Sequence, residues 1–421
     1  VNPLRVNPLL AALVPSPARR RTTGAKPPAP SSPPGPPASG GRARRTVPTV
    51  VTALGLFAAA RLTGVLFLAL LARAEGRDTT TLLGRTWDSL WYIGIATEGY
   101  GEVREYSRLV LNDLAFFPLY PWLIRGVCAL LPVSGGAAGL LIAWTAAGAA
   151  ACGIYRIGRR MHGRGVGVAL VVLWGLTPHS VVLSLAYTEP LLTALAAWAL
   201  YATLTGRWLW AGALACLAGL SRPNGLAVAA AVAVAAGWHA VTLLRQRRAS
   251  FHSLWKPLAG TALAPLGWVG FVLWAGLREG DPLGGYLAVQ RRWGSAFDFG
   301  RGNLEFAGHL LRHPDKLLFT VALAVVLLAL LLLGLLVADR APLPLVVYSA
   351  VLVLITVGGS GYFASKPRFL LPAFPLLLPL AAALTRTARA RPWHATLVVA
   401  ALAGLSFAYG AYLVVMATSP L

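Results

Sequence analysis

Apolar residues in this chain fall into long blocks separated by short polar joints, and runs of 18 or more recur. A block of that length, wound as a helix rising about 1.5 Å per residue, crosses a hydrocarbon core of roughly 30 Å. Helices are the expected form, because they satisfy their backbone groups internally where no water is present. The pattern predicts a first span at Pro48 to Leu71, then a loop from Ala72 to Ala115. Phe116 to Pro132 opens with FFPLYP and carries Arg125 at mid-length, which predicts an interfacial or re-entrant segment. Further spans are predicted near Ala137 to Tyr155, Gly165 to Ala186, Thr188 to Thr205, Trp208 to Leu220 and Gly225 to Leu244. The remaining five are Pro257 to Leu277, Leu317 to Val337, Pro342 to Val357, Phe369 to Leu384 and Ala395 to Met416. The fold class expected is an all-α polytopic membrane protein with about eleven transmembrane helices and a structured first external loop.

Composition excludes a soluble globule. Hydrophobic residues make up 57% and charged residues 12%, with a mean hydropathy of +0.66, where soluble domains carry about 25% charge. Residues 1–47 differ from the rest: they are rich in proline, hold eight basic residues and no acid, and are expected to form a disordered cytosolic tail drawn to anionic headgroups. Its only apolar patch, Leu9 to Val14, is too short for the core of a cleavable signal.

Charge then orients the threading. With the tail cytosolic, that side receives 21 basic residues and one acid, Asp339, while the other receives 15 basic and 13 acidic residues. This asymmetry is what the positive-inside rule requires, and it holds only if Phe116 to Pro132 does not cross. The net charge of +23 is therefore a topology signal, with no nucleic-acid partner implied. The membrane domain expected is 48–421, with a first external loop 72–136 that includes the interfacial segment 116–132, and a large external loop 278–316.

In this threading the polar features that are hard to explain structurally share the external face. Asp88 stands among Trp87, Trp91, Tyr92 and Tyr100, as either a helix cap or a site carboxylate. Glu189, in LAYTEP, is the only acid between Asp113 and Glu279, and adjoins spans where an ionised carboxylate costs about 2.5–3.5 kcal/mol at helix centre. It is either a site residue or the structural partner of Arg222. Arg222 and Asn224, in LSRPNG, form either a turn before a helix or a planar fork for phosphate oxygens. Gln290, Arg291, Arg292 and Trp293 lie in the large loop, and Lys366 and Arg368, in KPRF, either snorkel or bind an anion. The seven histidines and three cysteines show no metal-ligand spacing, and no glycine-rich nucleotide loop is present.

The blocks WDSLWYIGIATEGYG, AFFPLYPWLIR, LAYTEPLL, LSRPNGL and KPRFLLPAFP, in that order between Leu83 and Leu384, resemble the PIG-V-type mannosyltransferases of the GT-C membrane glycosyltransferases. The first block is the most specific. The resemblance implies transfer of mannose from a polyprenyl-phosphate-mannose donor to a lipid or glycan acceptor on the external face of the cell membrane, with Asp88 as the acidic catalytic residue. Many members pair that acid with a second. Here no DD or DxD follows, and Asp113 or Glu98 is the candidate partner. An activated lipid-phosphate donor needs no cofactor; a divalent metal stays open. Substrate contacts are expected from Trp87, Trp91, Tyr92, Asp113, Glu189, Arg222, Asn224, Arg291, Arg292, Trp293, Lys366 and Arg368. A polytopic transporter or a lipid-linked-sugar flippase is the alternative class, although a transporter site belongs near the midplane of repeated halves.

Overall fold

The computed structural model describes residues 49–106, 109–312 and 317–417. The chain divides into a unit Thr46–Leu421 and a unit Val1–Arg45. The tail expected at 1–47 lies outside the described residues.

The order is α1 (Thr49–Ala74), α2 (Thr79–Gly84), α3 (Asp88–Glu98), a hairpin of β1 (Val103–Tyr106) and β2 (Leu109–Asn112), then α4 (Leu119–Leu130), α5 (Gly135–His162) and α6 (Arg164–Gly175). It continues through α7 (Glu189–Leu204), α8 (Trp208–Gly219), α9 (Leu226–Arg245), α10 (Phe251–Leu263), α11 (Leu266–Arg278), α12 (Gly285–Arg292) and α13 (Arg301–Arg312). The last are α14 (Leu317–Ala338), α15 (Leu343–Gly358), α16 (Lys366–Leu370), α17 (Leu378–Ala390) and α18 (Pro392–Val415).

Among the described residues, six helical stretches are long and apolar enough to cross a membrane: Val50–Ala74, Gly135–His162, Pro223–Arg245, Phe251–Arg278, Leu317–Ala338 and Pro392–Val415. A seventh arises if the pair Phe363–Leu370 and Phe374–Ala390, bent by 76°, counts as one span. The count of about eleven is thus not reached by length. α6, α7, α8 and α15 hold only 12 to 16 residues, about 18–24 Å. Proline is one reason. Gly165 to Ala186 does not form one helix: α6 stops at Gly175, Pro178 follows, and Ser180–Ser184 turns as a 3-10 helix. Likewise Pro372 and Pro375 separate α16 from α17, because proline lacks the N–H that would continue the ladder and bars the helical conformation before it. The all-α class holds, with one small addition in the first loop: the β1–β2 hairpin, which pairs antiparallel with Val103 opposite Asn112.

Helix packing relies on small residues. A side-chain carbon on Gly212 would stand 2.4 Å from the Gly260 carbonyl, and one on Gly225 would stand 2.1 Å from that of Ala218. Such contacts let backbones close on one another where lipid supplies no hydrophobic drive between helices. The chain direction brings the α2–α4 region, the turn before α7, the turn before α9, the 278–312 region and the turn before α16 to one end. Trp293 donates to Asn112 O at 2.9 Å, and Phe297 bridges to Gly359. α5, α9 and α17 run away from that end and finish near Arg159 and Arg160, Arg245, and Arg389.

Candidate functional site

α3 begins abruptly. Trp87 holds a left-handed backbone, φ 52°, and the helix starts at the next residue, Asp88. A bulky residue there is strained, and the strain sets Asp88 in the first turn, where the helix dipole favours a carboxylate. α7 likewise opens on an acid, with Glu189 as its first residue and Pro190 second, but from a Thr188 backbone of ordinary helical conformation. Arg222 is extended (φ −163°) ahead of the turn Pro223–Gly225, and Arg368 sits in α16.

These four side chains form one chain of charge. Asp88 Oδ2 lies 2.8 Å from Arg368 Nη1, and Arg368 Nε lies 3.1 Å from Glu189 Oε1. The same Glu189 oxygen lies 2.5 Å from Arg222 Nη1, which also donates to Thr188 Oγ1 at 2.9 Å. Thr188 in turn meets the Tyr92 hydroxyl at 3.3 Å. Arg368 lies over the Tyr187 and Phe369 rings, with its guanidinium carbon 5.2 and 5.4 Å from their centroids. Two carboxylates and two guanidiniums balance. The Glu189 side chain is 1% exposed and that of Asp88 24%, so Asp88 is the open end of an otherwise buried network. Glu189 and Arg222 are thus ion-paired, and Arg368 joins the pair.

Tyr362 flanks this end. It too holds a left-handed backbone, φ 44°. Burial pushes its hydroxyl up to about 12, with Asp88 adding to the rise and Arg368 opposing it. Burial likewise raises the Tyr92 hydroxyl to about 12. Both phenols remain protonated donors at neutral pH.

The other expected residues separate by what holds them. Trp91 and Tyr92 are 5% and 4% exposed. Trp91 stacks on Phe116 and meets Trp293 edge-on, while Tyr92 packs edge-on against Phe116 and Tyr120. These rings form the wall behind Asp88, so in this arrangement Trp91 and Tyr92 have no open face for a sugar. Trp87 is half-buried against the bundle core. Asp113 is buried and accepts from the Gly101 and Glu102 amides at 2.9 and 3.0 Å, which ties the hairpin to the loop before α4. Burial raises its carboxyl pKa against the pull of those two bonds. These bonds help fold the loop. Lys366 also stands apart: its ammonium donates to the Thr356 and Gly359 carbonyls at 2.8 and 2.7 Å, closing the C-terminal end of α15. Arg292 pairs with Glu279, Arg291 is exposed, and Asn224 is buried in its turn. Thr188, Tyr187 and Tyr362 were not singled out by sequence, although each adjoins a motif that was. Among the described residues no three His, Cys, Asp or Glu side chains gather to hold a metal.

No family model matches the chain, and no curated protein matches it. Among solved structures it is similar to the Archaeoglobus fulgidus oligosaccharyltransferase in the apo form, at 16% identity and a TM-score of 0.47, over 88% of this chain and 56% of that one. A second similarity is to the archaeal oligosaccharyltransferase AglB from the same organism in complex with an inhibitory peptide and a dolichol-phosphate, at 14% identity and a TM-score of 0.44, over 87% and 56%. The chain spans a little over half the length of these structures.

Proposed function

We propose that the chain is an integral membrane glycosyltransferase of the GT-C kind, which transfers mannose from a polyprenyl-phosphate-mannose donor to a lipid or glycan acceptor. The observation that carries this reading is the charge network, in which a partly exposed carboxylate is held against buried guanidiniums at one end of an apolar helical bundle.

An acceptor hydroxyl attacks the anomeric carbon, the bond from that carbon to the lipid-phosphate oxygen breaks, and the configuration inverts. The hydroxyl proton passes to Asp88, whose Oδ2 is held by Arg368. A general base of this kind contributes typically ~10²–10⁴-fold. Negative charge develops on the departing phosphate, where fixed cations act most strongly. Arg368 and Arg222 are the cations of the network. An incoming phosphate competes with Asp88 for Arg368, so donor binding itself releases the base. Glu189 keeps both guanidiniums in place, and Tyr362 stands beside Asp88 as a neutral donor.

The charge distribution supports an external site. The described helices that leave the network end in clustered arginines, and such clusters favour the cytosolic side. The proposed threading counts α6, α7, α8 and α15 as crossings, with their adjoining turns buried in protein. Membranes with and without this protein, supplied with polyprenyl-phosphate-mannose, test the activity; equal mannose incorporation in both would sink it. Single-cysteine labelling from outside tests the side: Ser295→Cys should react in intact cells and Ser250→Cys should not. A polytopic flippase is the second reading, and it predicts translocation of the lipid-linked sugar without its consumption.

A further inference from the structure

The end of the bundle away from the charge network carries features that glycosyl transfer does not use. A cavity of about 430 Å³ lies where the end of α7, the second half of α9 and the starts of α8 and α15 meet. Leu204, Trp208, Trp238, His239, Thr242 and Leu343 are among its walls, with Thr203 beside them. The Trp208 and His239 rings stand 5.4 Å apart.

Three guanidiniums border it by their place in the fold. Arg207 caps α8 directly before Trp208. Arg245 ends α9 three residues beyond Thr242 and seven beyond Trp238, on the helix face those two share. Arg340 lies in the turn into α15, three residues before Leu343. All three are exposed, and none forms an ion pair among the described residues. The cavity walls add a second requirement. The Thr203 hydroxyl donates to Ala199 O at 2.9 Å, and that of Thr242 to Trp238 O at 2.8 Å. With their protons committed, both offer only acceptor lone pairs. A matching ligand is anionic at the rim, apolar along Leu204, Trp238 and Leu343, and carries hydroxyl donors.

We propose that this cavity binds one anionic phospholipid with a polyol headgroup, of the phosphatidylglycerol type. Its phosphate meets Arg207, Arg245 and Arg340, its headgroup hydroxyls donate to Thr203 and Thr242, and its acyl chains pass Trp238, which is 61% exposed. A zwitterionic lipid has the same phosphate but sets its own cation against three guanidiniums. This inference does not depend on the transfer reaction.

Native mass spectrometry of the full chain, released from detergent with phosphatidylglycerol, phosphatidylcholine or phosphatidic acid, tests it. Wild type should retain one phosphatidylglycerol at least ~10-fold more than phosphatidylcholine, the ratio that corresponds to one well-placed charge contact. The triple variant R207Q/R245Q/R340Q should lose that preference. Thr242→Val, which keeps the side-chain outline, should lower phosphatidylglycerol to the level of phosphatidic acid. Equal retention of the first two lipids by wild type overturns the proposal, as does undiminished phosphatidylglycerol on a folded triple variant. If the triple variant does not fold, wild-type selectivity together with Thr242→Val decides: an unchanged preference in Thr242→Val rejects the polyol assignment.

Discussion

Replacing Glu189 by glutamine removes one charge from the centre of the network and leaves two guanidiniums facing Asp88 alone. Glu189 lies 2.5 Å from Arg222 and 3.1 Å from Arg368, with a side chain 1% exposed. At an effective dielectric of about 20, unit charges about 3 Å apart attract by about 5 kcal/mol. Taking each ion out of water opposes this by several kcal/mol, so the intact network adds little over apolar packing. Breaking it is another matter. A guanidinium left buried without its carboxylate costs ~3–5 kcal/mol, and since glutamine keeps a carbonyl oxygen in place, the lower end, about 3 kcal/mol, is expected. Thermal denaturation of the purified protein in detergent, followed by the monodisperse fraction on size exclusion, should show Glu189→Gln melting roughly 3–4 °C lower, the free-energy loss divided by an unfolding entropy of about 2.1 cal/mol/K per residue. The double variant E189Q/R222Q should recover part of the loss, since coupled pairs show interaction energies of ~0.5–3 kcal/mol. Asp88→Asn, at the open end, should cost much less. A single variant that melts with wild type, or a double variant that melts below the sum of the singles, would refute the reasoning.

Gly212→Ala should cost ~1–3 kcal/mol by forcing α8 from the Gly260 carbonyl, whereas Gly148→Ala, which meets open space, should leave the melting point unchanged. Arg368→Lys replaces a planar fork that reaches both Asp88 and Glu189 with a point charge, so transfer should fall by roughly 10–100-fold, with weaker use of the donor. For Asp113, burial holds the folded pKa above the unfolded value of about 3.9. The folded state then binds the proton more tightly, so stability is greatest below the unfolded value and declines as pH rises through the folded one. Asp113→Asn should flatten that decline in melts taken across the acidic range, and a wild-type slope of the opposite sign would contradict it.

Much of the architecture could be read from the chain, for reasons that also mark where the reading stops. Apolar blocks locate helices in lipid because each helix must satisfy its own backbone, but they do not measure them. Pro178, Pro372 and Pro375 sit in apolar surroundings that hydropathy reads as continuous, and there the backbone turns. The hairpin was missed because Val103–Tyr106 and Leu109–Asn112 are four residues each and mix charge with apolar side chains. The network joins four residues that stood out in sequence, since an acid as isolated as Glu189 needs a partner and Arg222 and Arg368 are the nearest cations in the fold. Aromatic residues near an interface did not reveal which way they face: Trp91 and Tyr92 turn inward onto Phe116. Nor did sequence separate Lys366 from Arg368, two residues apart, one tied to helix carbonyls and the other to carboxylates.

The central claim is that Asp88 takes the acceptor's proton in transfer from a lipid-phosphate sugar. Asparagine keeps its size and outline but is no longer a carboxylate base. Purified wild type and Asp88→Asn, reconstituted in lipid with labelled polyprenyl-phosphate-mannose and an acceptor extract, should differ in turnover by ~10²–10⁴-fold, with donor binding changed far less. Turnover by Asp88→Asn near the wild-type rate would contradict the account and move the chemistry away from α3.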